Sequence, residues 1–144
     1  MDLFTAMQAS GSALKAERTR MNIASMNLAN TNTTRTIEGG PYRAKSVIFA
    51  ARRLGDDFAA RLTAAEEGMR GVEVVKVVED QTPFKQVYDP GHPDADENGM
   101  VLLPNVNPAE QMVDIMEAKR DYGANVTALE AAKTMALRAL DIGR

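Results

Sequence analysis

The chain is 144 residues long, 44% apolar and 26% charged. That is room for one compact domain, or a small domain with helical arms, and the composition favours neither disorder nor a membrane protein. A net charge of -3 argues against nucleic acid as a partner, and the absence of cysteine removes disulfides, thiolate metal sites and cysteine nucleophiles.

The first residues, Met1 to Ala6, lack a basic segment followed by an apolar run, so no cleaved secretory signal is expected, and no stretch approaches a membrane span. From residue 3 to about 29, Met7, Leu14, Met21 and Leu28 recur every seven residues, with Leu3, Ser10, Glu17 and Ala24 between them. The spacing predicts a long helix with a heptad seam of mixed quality, about 40 Å in length, which needs a partner helix. It runs into Asn27, Asn30, Asn32, Thr31, Thr33 and Thr34, a cluster suited to a helix-ending turn because Asn tolerates the left-handed conformation and both residue types bond nearby backbone.

Beyond this the periodicity changes. Lys45 to Ala50, the β-branched Val72 to Val78 after Gly71, Phe84 to Tyr88 and Met100 to Leu103 predict short strands, with turns at Gly39-Gly40-Pro41 and from Asp89 to Pro93. Residues 51–70 are ambiguous: Leu54, Phe58 and Leu62 suit a short helix, but Gly55 and Gly68 weaken it. Charge is uneven here. Residues 35–70 are mildly basic, whereas 71–99 carry seven acids against Lys76 and Lys85. Opposite patches of this kind either meet between neighbouring subunits or are simply solvated.

Asn107-Pro108-Ala109-Glu110 predicts a helix start: a capping residue, Pro at the first helical position and Glu placed to bond back to the cap. In the helix that follows, Met112, Lys119, Val126, Lys133 and Leu140 recur every seven residues, with Ile115, Tyr122, Leu129 and Ala136 three residues after the first four; Gly143 is a plausible stop. The expected fold class is α+β, with long terminal helices packed like a coiled coil and a small β-rich domain between them. The boundaries are 1–34 and 105–144 for a discontinuous helical domain and 35–104 for the β-rich one.

Candidate chemistry is thin. Asp94, Asp96 and Asn98 before Gly99 match the opening of a calcium loop, but the twelfth position is Asn105 instead of Glu, and Pro104 opposes an exiting helix. A calcium-binding module is the alternative reading, against an acidic turn bonded to its own backbone. His92 is the sole histidine, no serine has a base at motif spacing, and no cofactor is expected. The residues expected to carry function are packing groups: Leu14, Met21, Leu28, Ile115, Tyr122, Val126, Leu129 and Leu140 for the helix pair, with Asn27, Asn30 and Asn125 as turn or packing groups.

The order Ser25, Asn27, Ala29, Asn30 and Thr33 resembles the S-x-N-x-A-N-x-x-T pattern that ends the first helix of the bacterial flagellar rod and hook axial family. The resemblance extends through residues 39–43, 88–93, 104–107, 120–126 and 133–137 and is nearest to proximal rod members. It implies a non-enzymatic structural subunit of the basal-body rod, the drive shaft crossing the periplasm and enclosing an export channel. It further implies type III export without signal cleavage, self-association in a helical assembly, and other rod proteins and the rod base as partners. The segment from Ala51 to Arg70 departs from the family's pattern, and Gly123 stands where the family often has Glu or Gln.

Overall fold

A computed structural model describes residues 3–54 and 70–142. The elements in chain order are α1 (Leu3–Ala29), β1 (Lys45–Arg53), β2 (Arg70–Glu79), β3 (Lys85–Tyr88), β4 (Met100–Leu103) and α2 (Pro108–Ile142). Among the described residues two long helices flank four strands, the α+β class expected. The strands form two two-stranded sheets, β1 with β2 and β3 with β4. No described helix is long and apolar enough to cross a membrane.

The start of α2 and the end of α1 are each set locally, and each differs in part from expectation. At the start of α2, Asn107 Oδ1 accepts the Ala109 N–H at 3.2 Å, and the Gln111 N–H donates to the Asn107 carbonyl at 3.1 Å. The cap is therefore made, with Pro108 in the position where a missing N–H costs nothing. The return bond expected from Glu110 is not formed among the described residues; its carboxylate stays exposed. At the end of α1, no described non-glycine residue has positive φ. The turn closes instead by tightened bonds, Asn30 N–H to the Met26 and Asn27 carbonyls at 3.1 Å each and Thr31 N–H to the Leu28 carbonyl at 3.3 Å. Short i to i−3 bonds satisfy the last carbonyls, so no left-handed residue is needed.

Strand β1 runs to Arg53 and β2 starts at Arg70, so the ends of the ambiguous 51–70 stretch are extended. Residues 55–69, including Phe58 and Leu62 of the alternative helix, lie outside the described residues. Strands β3 and β4 are antiparallel, with Lys85 opposite Leu103 and Tyr88 opposite Met100. Their connection turns at Gly99, whose φ of 75° suits glycine and strains most other residues. A Cβ there would also meet the Tyr88 ring at 3.0 Å.

The chain divides into two compact units. The first draws on the described residues within 1–19, 48–76 and 118–144. Among the described residues its closed positions are small: Ala16, Gly71, Ala118 and Ala132. Ser12 donates its hydroxyl to the Ala9 carbonyl at 2.7 Å and accepts the Val72 N–H at 3.0 Å, which fastens the start of β2 to α1. The backbone approach is close, since a Cβ on Gly71 would lie 2.7 Å from Ser12 Oγ and 2.8 Å from Leu54 Cδ2.

The second unit comprises 20–47 and 77–117. Ala24, Ala44, Val101, Pro104 and Val106 are buried in it together with one polar side chain, Asn27. Among the described residues, Val106 and Pro104 are the largest side chains sealed from solvent, and both lie in this unit.

Candidate functional site

The second unit is organised by polar side chains that bond backbone. Asn27 is 2% exposed, so its amide needs every partner it can take. Nδ2 donates to the Lys45 carbonyl at 2.7 Å and to Gln111 Oε1 at 2.9 Å. Oδ1 accepts the Lys45 N–H and the Tyr42 hydroxyl, each at 2.9 Å. Bonding both the N–H and the C=O of Lys45 imitates a strand partner, and it fixes which way the amide points, since a flipped amide would set donor against donor. One side chain thus joins the last turn of α1, the first residue of β1, and Gln111 in the first turns of α2.

Tyr42 shares that environment. Burial, with a smaller contribution from the Glu79 carboxylate, raises its phenol above the ordinary value of 10.0. At neutral pH the hydroxyl is therefore protonated and available to donate to Asn27.

A second clamp surrounds Asn105. Its Oδ1 accepts the Ala44 N–H at 2.8 Å, and Nδ2 donates to Thr82 Oγ1 at 2.9 Å and to the Asp80 carbonyl at 3.2 Å. Arg43 donates to the same Asp80 carbonyl at 2.9 Å and lies over the Phe84 ring, 4.4 Å from its centroid. A third link is ionic. Arg20 Nε donates to Asp114 Oδ1 at 2.7 Å, and Nη2 reaches both Asp114 and Glu117, so α1 and α2 are tied by charge within this unit.

The candidates read from the sequence fall into several groups. Asn30 donates to the Met26 carbonyl at 2.8 Å and accepts from Thr33 Oγ1 at 3.1 Å, a purely local turn role. Asn125 donates to the Asp121 carbonyl at 2.9 Å, one turn back along α2. Leu14, Met21, Leu28, Ile115, Tyr122, Val126 and Leu129 are half-buried, whereas Leu140 is 70% exposed.

Of the two seven-residue series on α2, the one through Ile115, Tyr122, Leu129 and Ala136 is covered, accompanied by Ala118, Asn125 and Ala132. The series through Met112, Lys119, Lys133 and Leu140 is exposed, with only Val126 half-buried. Closing Ala118 and Ala132 costs no desolvation of charge, while closing Lys119 and Lys133 would, so the seam turns toward the alanines. Gly123 is exposed, and a Cβ there would meet nothing within 4 Å.

The acidic loop is occupied by its own neighbours. Asp94 accepts the Thr34 hydroxyl at 2.8 Å, and Asp96 Oδ1 accepts the Asn98 and Met100 N–H groups at 2.8 and 2.9 Å. His92 Nδ1 accepts the Asp94 N–H at 3.0 Å. Among the described residues no group of three or more His, Asp or Glu is arranged to hold a metal ion. The loop is an Asx-type turn whose carboxylates bond its own backbone and Thr34.

Sequence reasoning missed Arg20, Asp114, Glu117, Gln111 and the Ser12–Gly71 approach. The ion pair joins residues 94 positions apart and Gln111 reaches Asn27 across 84, separations at which no local pattern signals contact. Glycine after an unexplained strand start was the one available hint of Ser12's neighbour.

This architecture has relatives. Residues 7–35, which contain Asn27 and Asn30, match the model described as "Flagella basal body rod protein". Residues 97–142 match "Flagellar basal body rod FlgEFG protein C-terminal". Over its whole length the chain is 43% identical to the flagellar basal-body rod protein FlgC of Bacillus subtilis and 40% identical to that of Salmonella typhimurium, covering each of them fully. It is also 40% identical to the Borreliella burgdorferi protein of the same name, over 99% of this chain and 98% of the relative.

Proposed function

Because the chain belongs to the family of the flagellar basal-body rod protein FlgC, a structural subunit of that rod, we propose that it polymerises through its terminal helices into the drive shaft. Its place is the flagellar basal body, in assembly with other rod components. The finer reading is that α1 and α2 form an axial domain, 1–34 with 105–144, around the export channel, while 35–104 is the outer β-rich domain. The observation that carries it is the state of the helices: their heptad residues are only half-buried, and α2 leaves Met112, Val113, Met116, Met135, Leu137, Leu140 and Ile142 exposed. Apolar helix surface of that extent is a cost to a monomer and an asset to a polymer.

In this reading Leu14, Met21, Leu28, Ile115, Tyr122, Val126, Leu129 and Leu140 pack within and between subunits, and Asn27, Asn30 and Asn125 hold the helix ends and turns. The subunit is exported through the type III apparatus without cleavage, works in the periplasm, catalyses nothing, and contacts the rod base and further copies of itself. Leu14→Asp and Leu129→Asp are each expected to abolish rod assembly and motility in cells lacking the unaltered chain, because a charge cannot be buried unpaired in a helix seam. Normal motility with both substitutions would refute the pairing.

A further inference from the structure

One cavity of the first unit is not used by anything described above. It is a groove of about 570 Å³ beside α1, β1 and β2, lined by Lys15 from the helix, Arg52 and Arg53 from the end of β1, and Val72, Glu73 and Val74 from β2. Among the described residues three cations face it against a single acid. Lys15, Arg52 and Arg53 are exposed, and none of their charged heads takes an ion-pair partner among the described residues. Val72 and Val74 add an apolar floor.

The complementary surface belongs to the second unit. The first turns of α2 carry Glu110, Asp114 and Glu117 around an exposed Val113, and the one cation bonded to them is Arg20, held by Asp114 and Glu117. Glu110 and Glu117 are seven residues apart and so share one helical face, about 10 Å from each other along the axis. Each surface therefore has three charges of one sign against one of the other, arranged about valines.

We propose that the groove at Lys15, Arg52 and Arg53 receives the Glu110–Glu117 ridge of a second copy of this chain. The proposal rests on the reading of the chain as a rod subunit and adds to it a specific electrostatic contact outside the helix seams. The pairing is between two different surfaces of the same chain, a heterologous contact, which extends an assembly instead of closing a dimer. Valines at the centre with charges around them give the dry middle and polar margin of a specific interface. The charges would select the register of docking, and salt would weaken it.

The test is a charge swap on the full chain, produced in a flagellated strain lacking its own copy. Arg52→Glu with Arg53→Glu sets acid against acid, and Glu110→Lys with Glu117→Lys sets base against base. Each pair is expected to lower the number of assembled rods at least about tenfold, and the four substitutions together are expected to restore it. Rods at the unaltered level with either pair alone, or failure of the fourfold variant to recover, would overturn the proposal.

Because Glu117→Lys also breaks the Arg20 contact within the chain, a second variant decides independently of the charge swap. The chain has no cysteine, so Arg53→Cys with Val113→Cys should give disulfide-linked copies in assembled rods, while either substitution alone should not. No link between copies would overturn the contact. If Leu14→Asp and Leu129→Asp stop assembly while the charge pairs and the cysteine pair show nothing, only this contact fails. If the leucine variants also assemble normally, the helix-seam reading fails with it.

Discussion

The two units are held together by different means. In the second, polar side chains reach backbone across long stretches of sequence: Asn27 to Lys45, Asn105 to Ala44 and Thr82, Arg43 to Asp80, with Arg20 bridging to Asp114 and Glu117. In the first, Ser12 links α1 to the Val72 N–H of β2, and the closed positions among the described residues are mostly alanines. Directional bonds specify one arrangement without needing more apolar surface than a short chain has, whereas alanine contacts bring backbones close but bury little. The second unit is therefore the more directionally specified of the two. We propose that the order of the first depends on what lies against it.

Removing the largest of the directional contacts should break that contrast. Asn27→Ala leaves the Lys45 N–H and C=O and the Tyr42 hydroxyl without their partner, and an unsatisfied buried group costs about 1 to 3 kcal/mol. A loss of about 3 kcal/mol is expected in denaturant unfolding of the subunit. A change under about 1 kcal/mol would mean that the asparagine clamp is not what holds the second unit.

In the first unit the corresponding probe is Gly71→Ala. The new methyl would crowd Ser12 Oγ and Leu54 Cδ2, displacing the hydroxyl from the Val72 N–H, at a cost of about 2 kcal/mol by the usual penalty for overpacking. Thermal unfolding checks it. If the substitution is neutral, the close approach of β2 to α1 carries no weight.

Tyr42→Phe is the finest probe. It removes one bond to Asn27, about 1 kcal/mol, and its more informative effect is on pH dependence. A phenol whose pKa is raised on folding contributes stability in full below the unfolded value near 10, and this is lost as pH rises through the higher folded value. Stability should therefore fall above pH 10 more steeply in the unaltered chain than in the phenylalanine variant. Parallel alkaline profiles would show that Tyr42 does not sense its burial.

Much of the architecture was legible in the sequence because it is written locally. Asn107-Pro108 marks a helix start, the valines after Gly71 mark a strand, and Gly99 sits in a turn that demands positive φ. Asn27 and Asn30 also stood out by their order, but the long-range bonds of Asn27 did not, since its partners are set by how α1, β1 and α2 meet. The choice between two heptad series on α2 was not legible either. Both have the right period, and only the desolvation of Lys119 and Lys133 separates them, a cost that appears once a seam closes. The ending of α1 by tightened bonds instead of a left-handed residue was likewise invisible, because Asn permits either.

The central claim is that the first unit's helices are completed by neighbouring subunits. Amide hydrogen exchange on the dilute, unassembled subunit tests it most directly, compared with the same amides in isolated rods. The expected result is weak protection of residues 5–19 and of the last turns of α2 in the free chain, strong protection of Ala24, Asn27 and Val106 in both states, and protection of all of them in the rod. Strong protection of residues 5–28 throughout, in the dilute subunit, would contradict it.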